Sequence, residues 1–121
     1  MHWKPILHEE VTVRVHAEPD LIPVEGNAVV SGDEAYDREI EQSIQSRLQQ
    51  DDVWAWAMVT VTISWGPFSA SKHLGCCSYM DEEDFRQPGG YFDDMVNQAL
   101  EEFNVTVFEA YQQLKERDLA A

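Results

Sequence analysis

Thirteen residues in the middle of the chain, Val53 to Trp65, alternate with a period of two. Val53, Ala55, Ala57, Val59, Val61, Ile63 and Trp65 are all apolar, the pattern of a strand that buries one face along its whole length. The intervening positions change character, from Trp54, Trp56 and Met58 to Thr60, Thr62 and Ser64. The second face is therefore apolar for its first half only, and that half has to be covered by a helix, by the N-terminal segment or by another subunit. At about 3.3 Å per residue a straight strand of this length would span roughly 43 Å. A chain of 121 residues has little room for that, so the run is expected to bend, to carry a bulge or to reach across a dimer.

The flanking sequence supplies the rest of a small domain. Gly66-Pro67 breaks the alternation and Phe68 to Tyr79 resumes it as an antiparallel return strand, which makes residues 53–79 a hairpin. Gly75 within the return strand marks a bulge or a close approach. Upstream, Val11, Val13, Val15 and Ala17 alternate with polar residues and predict a half-buried strand. Pro19, Pro23, Gly26-Asn27 and Ser31-Gly32 make residues 18–32 an irregular connection, with Val29-Val30 as a short edge strand inside it. Ser31 and Glu34 have the spacing of a capping box, and Tyr36, Ile40, Ile44 and Leu48 beyond them give a narrow stripe on a helix of about 16 residues. Residues 81–90 read as a loop, with one helical turn in its acidic part. From Tyr91 the period is helical again, through Phe92, Val96, Ala99, Phe103, Val107, Ala110 and Leu114, broadened by Met95, Leu100 and Tyr111.

These elements predict a single α+β domain over residues 1–121: a small antiparallel sheet of three or four strands with a long central hairpin, packed by a long C-terminal helix and a shorter acidic helix. The acidic helix is expected at a sheet edge or on the same face as the long one. A 44% hydrophobic content is enough for one core and no more.

Charge limits what the domain can bind. The chain has 23 acidic and 8 basic residues, a formal net charge of −15. The basic residues are scattered, which disfavours direct contact with nucleic-acid backbone and fits either a basic partner or an acidic surface that simply keeps the chain soluble. Ten acidic residues against two arginines fall in residues 18–52, and eight against one in residues 81–102. On the acidic helix Asp33, Asp37 and Glu41 recur every four residues, a row at intervals of about 6 Å that is comparable with phosphates along a nucleic-acid strand. That row, with Glu34 and the Asp81-Glu82-Glu83-Asp84 loop, is the candidate partner-binding surface. Trp54, Trp56 and Met58 on the partly apolar sheet face are the candidate homodimer interface. Neither the N-terminus nor any apolar run has the form of a secretory signal or a membrane span, so the chain is expected in the cytoplasm, away from membrane.

Catalytic and cofactor chemistry finds little purchase. Cys76 and Cys77 are adjacent, so a disulfide between them would be strained, and both are read as free thiols. Within a regular strand His73 would share a face with Cys77 but lie about 13 Å away, so a thiolate nucleophile would need His2, His8 or His16 from elsewhere. Zinc has no paired ligand spacing here, and Asp81–Asp84 lacks the alternating oxygens and central glycine of a calcium loop. Gly89-Gly90 precedes a helix, but Asp93-Asp94 would repel a phosphate. No cofactor and no metal is expected, and the chain does not read as an enzyme. A second reading places a small ligand or signal nucleotide at a subunit interface, with Arg14 or Arg86 meeting its anionic group.

Gly26-Asn27-Ala28 with Ser31-Gly32-Asp33, Val53-Trp54-Ala55-Trp56-Ala57 with Val59, Leu74-Gly75-Cys76-Cys77-Ser78-Tyr79 and Tyr91-Phe92-Asp93-Asp94-Met95 resemble motifs of a group of small acidic phage and prophage proteins. The resemblance covers most of the chain and implies a viral or mobile-element origin, without a particular activity. By analogy with other small acidic proteins of such origin, the expectation is an inhibitor of a host nucleic-acid-binding or defence factor, anti-CRISPR-like or nucleic-acid-mimicking.

Overall fold

A computed structural model describes residues 3–120. The elements run in the order 3-10 turn His8–Glu10, strand β1 (Thr12–Pro19), helix α1 (Glu34–Gln49), 3-10 turn Val53–Ala55, strands β2 (Ala57–Trp65) and β3 (Phe68–Cys77), short helix α2 (Glu82–Phe85) and helix α3 (Tyr91–Ala120). The three strands form one antiparallel sheet in the order β1-β2-β3, which is the α+β architecture that the alternation and the helical stripes predict. Gly66 and Pro67 close the central hairpin in two residues between the paired Trp65 and Phe68. Gly66 takes φ 57°, and the fixed negative φ of Pro67 after it gives the order of signs found in a type II′ hairpin turn.

The long alternating run is shortened by its own N-terminus. Val53–Ala55 wind into a 3-10 turn capped by Asp52, whose side chain accepts the Trp54 N–H, so only nine of the thirteen residues are strand. The turn follows from the end of α1. Asp51 adopts φ 61° and donates its N–H to Leu48 O, while Asp52 donates to Arg47 O, the two bonds of a Schellman termination with aspartate where glycine is usual. Asp52 also accepts the Arg47 Nε–H at 2.7 Å.

One face of the sheet is core. Val59, Val61 and Ile63 are fully buried against the stripe of Phe92, Met95, Val96, Ala99, Phe103 and Val107 on α3. The last turn of the predicted stripe does not belong to this core. Leu114 is 65% exposed, because a 30-residue helix is about 45 Å long and outruns the strands it covers. Past Val107 its cover is Trp3, which stacks against Phe108 and Tyr111. Just upstream, Ile6 donates its N–H to Asn104 Oδ1 and accepts from Asn104 Nδ2, tying the N-terminal segment to α3. Trp65, expected in the core, is instead 42% exposed at the hairpin tip.

The other face stays open. Thr12, Arg14, His16 and Glu18 of β1 lie beside Ser64, Thr62, Thr60 and Met58 of β2, and Ser69, Ser71 and His73 of β3 continue the first three rows. Its apolar beginning is covered as the alternation requires, by a helix. Trp56, Ala55, Val24 and Ile44 form a second buried cluster with Ile40 and Leu48, so α1 packs on the 3-10 turn and the 20–28 loop, off the start of β2, rather than at a sheet edge or on the α3 face. The expected edge strand at Val29-Val30 is absent, and Val30 is exposed. The N-cap of α1 is Asp33, not Ser31. Ser31 instead donates from Oγ to Asp37 at 2.6 Å.

Gly75 marks the predicted bulge. Val59 pairs with Leu74 and Ala57 with Cys77, so Gly75 and Cys76 together oppose Met58. The extra residue is held by Asp20, whose Oδ2 accepts the Cys76 N–H at 2.6 Å while Oδ1 accepts from Ile22 at 3.0 Å. A Cβ on Gly75 would sit 3.1 Å from that same carboxylate oxygen, which explains why glycine stands there. Cys76, at φ 55°, takes a conformation that costs a non-glycine residue about 1 kcal/mol or more. The bond from Cys76, and then that from Ile22, hold the Asp20 carboxyl below its ordinary pKa. A group depressed in this way stabilises the fold above its unfolded pKa of about 3.9, and that contribution disappears as pH falls through the lower folded value. Asp20→Ala should therefore cost about 1–2 kcal/mol at neutral pH by stranding two N–H donors. In urea unfolding followed by circular dichroism, the gap from wild type should narrow below pH 4; a gap independent of pH would show that the charge on Asp20 is irrelevant.

Candidate functional site

The eight carboxylates marked out in the sequence do not stand free as a row. Asp33 caps α1 by accepting the Tyr36 N–H, Asp37 accepts both the N–H and the hydroxyl of Ser31, and Glu41 accepts the Gly26 N–H at 3.0 Å. Asp37 and Glu41 thereby fasten the 26–31 loop along the helix, while Asp33 serves the helix's own N-terminus. In the second segment Asp81 caps α2 through the Asp84 N–H, Asp84 accepts from Met80, and Glu82 pairs with Arg86 at 2.9 Å. Glu34 and Glu83 are exposed, and their side chains make no hydrogen bond or ion pair among the described residues. The two segments flank different parts of α1: the first lies along its N-terminal half, while the second follows Tyr79, whose carbonyl accepts from Arg47 near the C-terminus.

The tryptophans are committed within the chain. Trp56 is 3% exposed and donates Nε1–H to Ile22 O at 2.7 Å. Trp54 packs against Tyr79 and Phe85. Trp56 has no open aromatic face to offer a subunit interface, whereas Trp54 and Met58 are both half-buried, Met58 on the uncovered sheet face beside Gly75. Phe85, 1% exposed, joins Trp54, Tyr79 and Phe92 in one ring cluster. Sequence reading missed it because a lone aromatic in an acidic stretch has no period; the signal available was an apolar residue one turn after a capping aspartate.

The thiols separate. The bulge inserts one residue and reverses the alternation after it, so Cys77 turns to the buried face with Leu74 while His73 remains on the open face, its Nδ1 2.9 Å from Thr60 Oγ1. The shared face expected for His73 and Cys77 is therefore lost. His16 projects from the open face on the other side of Thr60, His8 lies in the first 3-10 turn, and His2 is outside the described residues. No hydrogen bond among the described residues joins a thiol to an imidazole, and none of their His, Cys, Asp and Glu side chains form a group of three able to hold a metal. Both cysteines are free.

Arg14 is on the open sheet face, and Arg86 lies 4.9 Å over the ring of Phe92. Neither lines a cleft of about 490 Å³ between α1, the segment after the bulge and the start of α3. Ile40, Ile44 and Trp56 contribute its apolar side; Arg47, Cys76 and Tyr79 contribute polar groups. Burial pushes the Tyr79 hydroxyl above its ordinary pKa. The Cys77 thiol is pushed up to about 11, chiefly by burial.

At pH 8 a thiol with that pKa is about one part in a thousand thiolate, whereas Cys76 is only half-buried at the cleft. Iodoacetamide should label Cys76 first, by at least about tenfold in rate. Tandem mass spectrometry of the native protein should find Cys77 unmodified, and Cys76→Ser should be nearly inert; equal labelling of both would contradict the burial of Cys77.

No helix among the described residues is long and apolar enough to cross a membrane. No family model, curated protein or solved structure matches the chain.

Proposed function

We propose that the protein is a non-catalytic binding protein of phage or mobile-element origin that engages a basic surface on a host protein, inhibiting a nucleic-acid-binding or defence factor. What carries this reading is the fixed placement of acidic side chains on α1. Backbone donors hold Asp33, Asp37 and Glu41 in position, so this negative potential needs no further ordering when a partner arrives. Glu34 beside them and Glu83 in the second segment are free to pair. Of the eight basic residues, Arg47, Lys72 and Arg86 are already matched to Asp52, Glu102 and Glu82, which leaves the surface strongly acidic. A net charge of −15 steers a cationic partner and repels nucleic acid. No thiol–imidazole pair among the described residues supports the cysteine-enzyme alternative.

The reading includes a homodimer. Since Trp54 and Trp56 pack within the chain, the interface in this reading uses two of the exposed large apolar side chains, Leu114 and Leu119, which share α3 beyond its last sheet contact. There Lys115 and Arg117 offset two of the three charges of Glu109, Glu116 and Asp118, so repulsion between two copies is weaker there than along the acidic segments.

Two measurements test these statements. Proteins retained from a host lysate at low salt should be released near physiological salt or above it, and Glu34→Lys with Glu83→Lys should weaken the recovered complex by about tenfold, or ~1.4 kcal/mol. These two positions are chosen because reversing Asp37 or Glu41 would also undo the loop, and reversing Asp33 would remove the cap of α1. Retention that ignores both salt and the double variant would exclude the acidic surface as the contact. Sedimentation should show a dimer that Leu114→Asp converts to a folded monomer; a wild-type monomer at tens of micromolar would remove the dimer from the reading.

A further inference from the structure

No carboxylate lines the cleft under α1, unlike four other hollows among the described residues. A hollow beside Lys72 includes Glu101 and Glu102, one beside Arg38 includes Glu25 and Glu41, one at Tyr111 includes Asp118, and one at Gly89 includes Asp94. In a chain with 23 acidic residues, a concavity of about 490 Å³ free of them stands apart, and its volume is in the range of small-molecule sites. Each of its polar side chains named below can donate a hydrogen bond, and the guanidinium among them can only donate. Ser43 and Ser78 bring hydroxyls, Tyr79 and Tyr91 bring phenols, and Arg47 brings a guanidinium. Arg47 is held in place from two sides, by Asp52 at Nε and by the Tyr79 carbonyl at Nη2, and its Nη1 has no hydrogen bond among the described residues. Ile40, Ile44 and Leu74 provide an apolar floor, and Tyr91, 60% exposed at the rim, has a ring face open for stacking.

We propose that this cleft binds a planar small molecule rich in hydrogen-bond acceptors and carrying at most a single negative charge, the chemistry of a nucleoside or an aromatic monocarboxylate. The apolar floor and the Tyr91 ring take the flat body, and the hydroxyls with Arg47 Nη1 take its acceptors. A cation finds no counter-charge in the lining. A polyphosphate is opposed by the net charge of −15, while Asp52 neutralises much of the one arginine. The site is separate from the acidic surface and does not depend on it.

Cys76 lines the cleft and reports on its occupancy. Adenosine, guanosine, cytidine, uridine and salicylate, each at millimolar concentration, are the probes; benzamidine, a planar cation, and adenosine triphosphate are the controls. At least one of the five probes should slow iodoacetamide labelling of Cys76 several-fold and shift amide resonances within 40–47 and 74–79 of the full chain, and the controls should do neither. Ser43→Trp, placed on an exposed helix position so that the fold survives, should fill the cleft and abolish both effects; Arg47→Lys should weaken them while leaving the circular dichroism spectrum unchanged. The proposal is overturned if none of the five probes protects Cys76, if benzamidine or adenosine triphosphate does so as well as they do, or if protection persists in folded Ser43→Trp.

Discussion

The hydrogen bond from the Cys76 N–H to the Asp20 carboxylate links parts of the chain that would otherwise be independent. It crosses from the end of the first strand to the far end of the third, and it holds open a bulge that no ladder hydrogen bond stabilises. Asp20 also donates its own N–H to Trp56 O, so one residue joins all three strand ends. The 20–28 loop begins from that anchor, and it carries Val24 into the cluster with Trp56 and Ile44. Without the bulge the alternation would run on, Cys77 would face outward with His73, and the segment leading to Tyr79 and Phe85 would leave the sheet on the wrong side.

Two apolar clusters consequently divide the work between the helices. The long helix covers the sheet face, and the acidic helix covers the end of the sheet where the alternating run ceases to be a strand. The second arrangement explains why α1 needs only a narrow stripe. It packs on a single turn and a loop instead of on three strands, so Ile40, Ile44 and Leu48 suffice. The remaining sheet face is left to hydroxyls, Arg14 and two histidines, whose cross-strand bonds, Thr60 with His73 and Thr62 with Ser71, satisfy it without a covering layer.

Much of this was legible in the order of residues. Periodicity located all three strands and both principal helices, and a glycine inside a strand pattern located the bulge. What periodicity cannot give is the conversion of Val53–Ala55 from strand to 3-10 turn, because these residues remain alternately apolar in either form. The cause lies upstream, in the chain reversal at Asp51 and the caps made by Asp52, a pairing across elements that no local window contains. The candidate site was less legible for a similar reason. Asp33, Asp37 and Glu41 do share a face, as four-residue spacing requires, yet spacing says nothing of what lies opposite them. Arg47 was unremarkable as one of two arginines in an acidic stretch, and its place in the cleft depends on the distant Tyr79.

The same carboxylates thus serve structure and field together. A side-chain oxygen that accepts a backbone N–H keeps its negative charge, and its folded geometry limits the directions in which that charge can move. Tethering lowers the entropy lost when a cation binds, but it also occupies lone pairs that a partner could have used. The balance differs along the acidic segments. Asp37 meets Ser31 with both oxygens, so it has least left to offer, whereas Glu34, one turn earlier and unbonded, combines an ordered backbone with a free head group. An acidic surface built this way should recognise a partner through its few free carboxylates while the tethered ones set the potential around them, so the residues that orient a complex need not be those that attract it.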